Sequence, residues 1–152
     1  MLEIVLRLTA AALVGAAIGL NRDLHDKRTG VRTLGLVSLG SALGVMAAAH
    51  IGGPGDATRT IQGILTGVGF LGAGVIIHSA TDSRIHGLTT AAATWLTACF
   101  GIACAVADWQ IVLPALILAF ILLIWGGDFE KAVRSRFRPP PPLLSRGSPS
   151  RP

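Results

Sequence analysis

Charged side chains are scarce in this sequence. Asp, Glu, Lys and Arg supply 14% of the 152 residues, against 51% hydrophobic residues and a mean hydropathy of +0.64. That balance excludes an ordinary soluble domain and places the chain among polytopic membrane proteins. Cysteine is nearly absent. Cys99 and Cys104 fall within one apolar segment and on rather different helix faces, so they read as small packing residues rather than a disulfide. No nucleophile stands beside a base, and no two carboxylates have a catalytic spacing, which argues against an enzyme. The four histidines are scattered, and His78 and His86 lack the cysteine or carboxylate companions of a zinc site. Neither a cofactor nor a protein-built metal site is therefore expected. Carboxylates are also missing from the middle of every apolar segment, although magnesium usually takes one or two of them together with retained water. Magnesium enters only as a ligand or substrate, held by backbone carbonyls if a glycine-rich helix unwinds.

What the chain has in abundance is glycine, concentrated in one apolar stretch. Between Arg59 and His78 the sequence is apolar from Ile61 to Ile77 apart from Gln62 and Thr66, and it carries five glycines. In water each would weaken a helix by roughly 1 kcal/mol relative to Ala. In a membrane small residues let helix backbones approach closely, which offsets that loss. At 100° per residue Gly63, Thr66, Gly67, Phe70 and Gly74 share one side, with Gly63 and Gly67 forming a G-x-x-x-G pair. Gly69, Gly72 and Ala73 share a second side, and Ile64, Val68, Leu71 and Val75 form a third. Two small faces and one large-residue stripe predict a central helix, packed on two sides and meeting lipid on the third. Gly67, Gly69 and Gly72 also match the spacing of a dinucleotide fingerprint. The flanking segments are long and apolar, and the nearest acid, Asp82, comes too early, so a nucleotide loop is rejected.

Four further spans are expected around this one. Leu2 to Leu20 is the first. Its basic cluster follows the apolar run, unlike a secretory signal, and Glu3 and Arg7 lie one turn apart, close enough to pair. The ridge continues through Ala11, Gly15 and Gly19, so the pair is expected to face protein. Leu34 to Ile51 is the second span, with Gly40, Gly44 and Ala48 as its contact ridge. Gly87 to Ala107 is the fourth, where Thr89, Ala93, Thr97, Gly101 and Ala105 recur every four residues. Trp109 to Trp125 is the fifth. It is rich in Leu and Ile, carries a Trp at each end and Pro114 in its early turns, and reads as peripheral and lipid-facing. Residues 1–127 thus form one transmembrane domain, and 128–152 a basic, Pro-rich tail expected to be largely disordered.

Basic residues give the expected orientation. Eleven Lys or Arg lie in the first link, the third link and the tail, against one, Arg59, on the other side, with Arg7 inside the first span. The N-terminus is expected outside and the C-terminus in the cytoplasm. The net charge of +5 therefore reports topology, not a nucleic-acid partner. The first link places Arg22, Lys27 and Arg32 beside Asn21 and Thr33. Either they anchor the chain to anionic lipid, or, with Asp56 and Arg59 across the membrane, they hold helix ends or bind a partner.

Four blocks carry a resemblance in a fixed order: Gly19-Leu-Asn-Arg22; Lys27 to Thr33; Gly67 to Gly74; and Gly87 to Ala92 with Trp95. Over residues 2 to about 126 the chain resembles the MgtC/SapB family of bacterial inner-membrane proteins. The resemblance implies a five-helix membrane domain tied to growth in low magnesium, acid tolerance and intracellular survival in some pathogens. It implies either magnesium transport or, as in the best-studied members, regulation of other membrane machinery, the ATP synthase included. Many members add a cytoplasmic domain similar to small-ligand ACT modules, and this chain stops before one, so no function of that domain is carried over. The family also places a Gln four residues after the Arg that precedes the glycine helix. Here Arg59 is followed by Gln62, with Gly63 in that place.

These readings converge on an all-α multi-pass inner-membrane protein. It is expected to act as a non-enzymatic regulator, with cation transport as the alternative, and to self-associate through small-residue faces, a dimer being the simplest form. Membrane lipid and another membrane protein are the further partners expected. Candidate functional residues are Glu3, Arg7, Asn21, Arg22, Lys27, Arg32, Thr33, Asp56, Arg59 and Gln62. Helix packing is assigned to Gly40, Gly44, Gly63, Gly67, Gly69, Gly72, Gly74, Thr89 and Gly101.

Overall fold

A computed structural model of the chain describes residues 1–52, 54–79 and 87–137. Five helices follow one another: α1 (Leu2–Asp23), α2 (Val31–Ile51), α3 (Pro54–Ser79), α4 (Leu88–Val106) and α5 (Trp109–Phe137). Each contains a stretch long and apolar enough to cross a membrane. In such a setting helices satisfy their own backbone polar groups, which is why the described residues adopt no strand. Several buried hydroxyls meet the same demand. Thr94 and Thr97 donate to the carbonyls of Thr90 (2.9 Å) and Ala93 (2.7 Å), and Ser41 donates to that of Val37 (2.8 Å), each one turn back.

The centre of the chain is α4, not α3. Helix α4 packs against all four others, and half of its span is buried, against 11% for α3 and for α5. The physical reason lies in the size of its side chains. Ala93, Thr97, Gly101 and Ala105 fall on the buried side as the four-residue spacing predicts, and with Thr90, Thr94 and Ala98 they leave room for neighbouring helices to come close. Thr89, by contrast, is exposed. The tightest junction joins α1, α2 and α4. Ser38 of α2 is fully buried, and a Cβ added to Gly15 would meet the Leu34 carbonyl at 2.5 Å and Ser38 Cβ at 2.7 Å. A Cβ added to Gly101 would run into the backbone of Ser38 from the other side. Nearer the α1–α2 link, Gly19 lies so close to Val31 that a Cβ would come within 2.6 Å of its Cα. The ridge Ala11, Gly15 and Gly19 faces protein as expected, and all three residues are buried.

Helix α3 is turned opposite to the expectation. Ile61, Ile64, Val68, Gly72 and Val75 lie on its covered side, and Gly72 contacts Ala91 of α4. Gly63, Gly67, Gly69 and Gly74 instead face open space within this chain, and Phe70 is 81% exposed. Of the large-residue stripe, Ile64, Val68 and Val75 are turned toward the rest of the bundle while Leu71 is exposed, and of the small faces only Gly72 is buried. On α2 the contact ridge is likewise displaced. Leu34, Ser38, Ser41, Ala42 and Val45 are buried. Gly40 is open, and the nearest atom to a Cβ added at Gly44 would be Ile64 Cδ1 of α3, at 3.2 Å.

The largest boundary difference is at the end of α5, whereas α4 ends where the sequence places it. Helix α5 runs through Gly126 and Gly127 to Phe137, because two glycines weaken a helix without terminating it when helix-forming residues follow. Residues 138–152 of the expected tail lie outside the described residues. Helix α4 ends at Ala107, which adopts a left-handed conformation (φ 58°, ψ 33°) so that its N–H reaches the carbonyls of Ala103 and Cys104. That conformation strains any residue with a Cβ by roughly 1–2 kcal/mol and suits glycine. Ala107→Gly is therefore expected to stabilise the chain by up to about 1 kcal/mol, read as a raised denaturation midpoint in detergent. A lowered midpoint would mean that this turn is not held as described.

Candidate functional site

Polar side chains gather at the two ends of the bundle. At one end α1 begins, α2 ends, α3 begins and α4 ends. Here Glu3 and Arg7 form an ion pair along α1, and Arg7 Nη1 donates to the Ala105 carbonyl of α4 at 2.7 Å. The guanidinium thus ties α1 to the last turn of α4, where a cation suits the helix dipole. Among the described residues its buried Nε has no partner. Beside it opens a cleft of about 700 Å³, lined mainly by apolar residues such as Met46, Ala57, Ile61 and Val106, with Arg7 and His50 as its basic members. Asp56, Arg59 and Gln62 start α3 at this end, and all three are exposed. The Gln62 carbonyl accepts from Thr66 Oγ1 at 2.8 Å.

At the opposite end α1 finishes beside the start of α4. Arg22 is 4% exposed, and its Nη2 donates to Thr90 Oγ1 at 2.7 Å. This bond spans 68 positions of sequence and locks the two helix ends together. A hydrogen bond to a charged group of this kind contributes about 1.5–3 kcal/mol. Asn21 is also buried, and its carbonyl accepts a bond from His25 Nδ1 at 2.7 Å. The link then folds back: the Lys27 N–H reaches the Arg22 carbonyl at 3.0 Å. Asp23 caps the next helix, accepting the Val31 N–H at 2.9 Å, and its carboxylate lies against Gly30, where a side chain would collide with it. A carboxylate at a helix start complements the dipole.

The sequence groups Asn21, Arg22, Lys27, Arg32 and Thr33 together, but the fold divides them. Asn21 and Arg22 are buried between helices, while Lys27, Arg32 and Thr33 are exposed. Glu3 pairs with Arg7, as the spacing predicts, although Glu3 itself is exposed. Two residues are missing from the candidates drawn from the sequence. Thr90 receives Arg22, and Ser38 fills the junction between Gly15 and Gly101. The sequence signals for Thr90 are its place in the Gly87 to Ala92 block and its position next to Thr89 on a helix whose small residues recur every four positions. Among the described residues no group of three or more His, Cys, Asp or Glu converges on a metal position, and Cys99 and Cys104 are free thiols.

Five membrane-length helices packed through small residues, with charged groups confined to the two ends, define a polytopic membrane domain. The profile of the MgtC family matches residues 8–132, and the chain belongs to that family. It is 42% identical over 142 residues to protein SrpB of Synechococcus elongatus, covering 84% of this chain and 75% of SrpB. It is 36% identical over 118 residues to protein MgtC of Salmonella typhimurium, covering 78% of this chain and 50% of MgtC. A third relative is YhiD of Escherichia coli K12, 39% identical over 109 residues, 65% of this chain and 49% of YhiD. Its full name offers magnesium transport as a conjectured role. The chain thus spans about half the length of MgtC and YhiD. No solved structure matches it.

Proposed function

We propose that this protein is a non-enzymatic regulator of the inner membrane, linked to magnesium homeostasis or to acid and low-magnesium stress, and that it works by direct contact with other membrane helices. The observation that carries this reading is the open glycine face of α3. A glycine turned toward lipid gains nothing that a leucine would not supply, because lipid chains are as apolar as leucine. A glycine turned toward another helix lets the two backbones close up. Gly63, Gly67 and Gly74 have open space where a Cβ would stand, next to the exposed Phe70, so the face fits a helix from outside the chain. The orientation proposed has the N-terminus outside and the C-terminus in the cytoplasm, following the eleven-to-one distribution of basic residues.

The second reading, a magnesium transporter, is favoured by the conjecture in YhiD's name. It requires a path of oxygen ligands through the membrane, and the carboxylates of this chain lie toward the ends of its spans or in the links. One pair of measurements separates the two. Purified protein in liposomes under a magnesium gradient is expected to give flux no greater than empty vesicles. A photo-crosslinker placed at Phe70 in cells is expected to give a discrete adduct with a membrane protein, while one placed at Leu113 is not. Saturable flux with no adduct would replace the regulatory reading with the transport one.

A further inference from the structure

A guanidinium has five N–H donors and keeps its charge in any protein environment. Arg22 is 4% exposed, so nearly all of that donor capacity has left water. Among the described residues it finds a single side-chain acceptor, Thr90 Oγ1, and its Nε is buried with no partner. No described Asp or Glu forms an ion pair with it. The neighbouring Asp23 is occupied by the Val31 N–H, and Asp26 is exposed on the link. A buried charge lacking both an opposite charge and a full set of acceptors is strongly unfavourable.

The place where Arg22 ends makes that shortfall sharper. Thr90 is the third residue of α4, and the helix starts at Gly87, which has φ 93° and, as a glycine, brings no side chain of its own to cap the helix. The Gly87 carbonyl takes the Ala91 N–H at 2.8 Å, which leaves the N–H groups of Leu88, Thr89 and Thr90 without intrahelical acceptors. This end of a 19-residue helix carries the positive half of its dipole. Among the described residues, therefore, a buried guanidinium and a helix start, both positive and both with donors that lack an acceptor, meet at one corner. Only acceptors and negative charge make such a corner favourable. Leu88 and Thr89 are exposed, so the corner opens at the end of the bundle, and the exposed Lys27, Arg28 and Arg32 of the adjoining link raise the local concentration of anions.

We propose that Arg22, the Thr90 hydroxyl and the first-turn N–H groups of α4 bind a phosphate group. A phosphate presents several acceptor oxygens in a tetrahedral spread, and it suits both the planar fork of arginine and the N–H groups of a helix start. The hydroxyl that accepts from Arg22 still has its own proton to donate. The phosphate comes from one of two sources with the same chemistry, the headgroup of an anionic phospholipid or a soluble phosphate. The proposal stands apart from the regulatory reading, since it concerns the opposite end of α4 from the Arg7 cleft and does not use the glycine face of α3.

The test is thermal denaturation of the purified full chain in neutral nanodiscs, with inorganic phosphate titrated at constant ionic strength. A parallel series replaces part of the neutral lipid with phosphatidic acid. Stabilisation by added phosphate identifies a soluble ligand, and stabilisation only with phosphatidic acid identifies a lipid headgroup. Either supports the proposal if Arg22→Gln and Thr90→Val weaken the apparent affinity roughly tenfold or more, the loss expected for one charge-assisted contact. Arg22→Lys, which keeps the charge and loses the fork, should fall between them and the wild type. Arg32→Gln, on the exposed link, should change affinity less and only at low salt. Should Arg22→Gln fail to fold, Thr90→Val carries the comparison alone. The proposal is overturned if neither phosphate source shifts the midpoint, or if Arg32→Gln weakens binding as much as Arg22→Gln. It is equally overturned if Asp82→Asn destabilises the unliganded protein to the same extent as Arg22→Gln, which would make the counter-charge one of the chain's own.

Discussion

Gly101→Val is expected to prevent the chain from folding, or to leave it denaturing far below the wild type. The new Cβ would overlap the Ser38 backbone of α2, and backbone cannot step aside as a side chain does. Overpacking a close-fitted core costs about 1–3 kcal/mol and occasionally more, and this case belongs at the upper end. Ser38 is wedged from both sides: moving α2 away from α4 drives it into Gly15 of α1, where a Cβ would already come within 2.7 Å of Ser38 Cβ. Gly15→Val should therefore resemble Gly101→Val. Gly40→Val, on the same α2 helix but facing open space, should shift the midpoint far less. Denaturation of the three variants in detergent, followed by circular dichroism, checks the ordering. If Gly101→Val is as mild as Gly40→Val, the three-helix junction is not as tight as described.

Gly67→Leu is expected to do the reverse, leaving the single chain folded while abolishing its association with other helices. Among the described residues nothing outside the adjacent backbone of α3 lies within 4 Å of the position a Cβ would take at Gly67, so the added side chain meets no internal clash there. A helix seated against the α3 glycines would instead be pushed away by several ångströms, which removes the close backbone approach that drives helix association in a membrane. The measurement pairs denaturation of the isolated protein with crosslinking from Phe70 in cells. The expected outcome is an unchanged midpoint and a lost adduct. An adduct that persists at wild-type yield would show that the glycine face is not the contact surface, and the regulatory reading would lose its support.

These two glycines also show how far the sequence could be read. The five spans were legible because a bilayer sets the length of an apolar helix. The four-residue recurrence of small residues coincides with burial at Ala11, Gly15 and Gly19 on α1 and at Ala93, Thr97, Gly101 and Ala105 on α4, but not at Thr89 of the same α4 ridge or at Gly40 of α2. Small residues at one-turn spacing have little use except close packing, so pattern and contact coincide there. On α3 the same rule pointed two ways. Ile64, Val68 and Val75 are equally at home against lipid or against another helix, because no hydrophobic driving force separates the two in a membrane. Which face the chain itself would cover was decided by the partners on α2 and α4, and those are invisible in a local pattern.

At the candidate site the Glu3–Arg7 pair was legible from its spacing of four. The Arg22–Thr90 bond was not, because it joins residues 68 positions apart. Spacing alone also distinguished poorly between Thr89 and Thr90, which differ by a 100° turn of the helix and proved to be exposed and buried respectively. The grouping of Asn21 and Arg22 with Lys27, Arg32 and Thr33 failed for a related reason. A short polar link reads as one basic cluster, whereas α1 extends to Asp23 and carries its last turn, with Arg22, into the bundle.

The wedge of Ser38 between two glycines has a mechanical consequence. Three helices that touch through backbone cannot slide past one another without first separating, so α1, α2 and α4 behave as a single rigid frame. Helices α3 and α5, whose spans are largely uncovered, lie outside that frame, so the glycine-lined surface is carried at its rim and not within it.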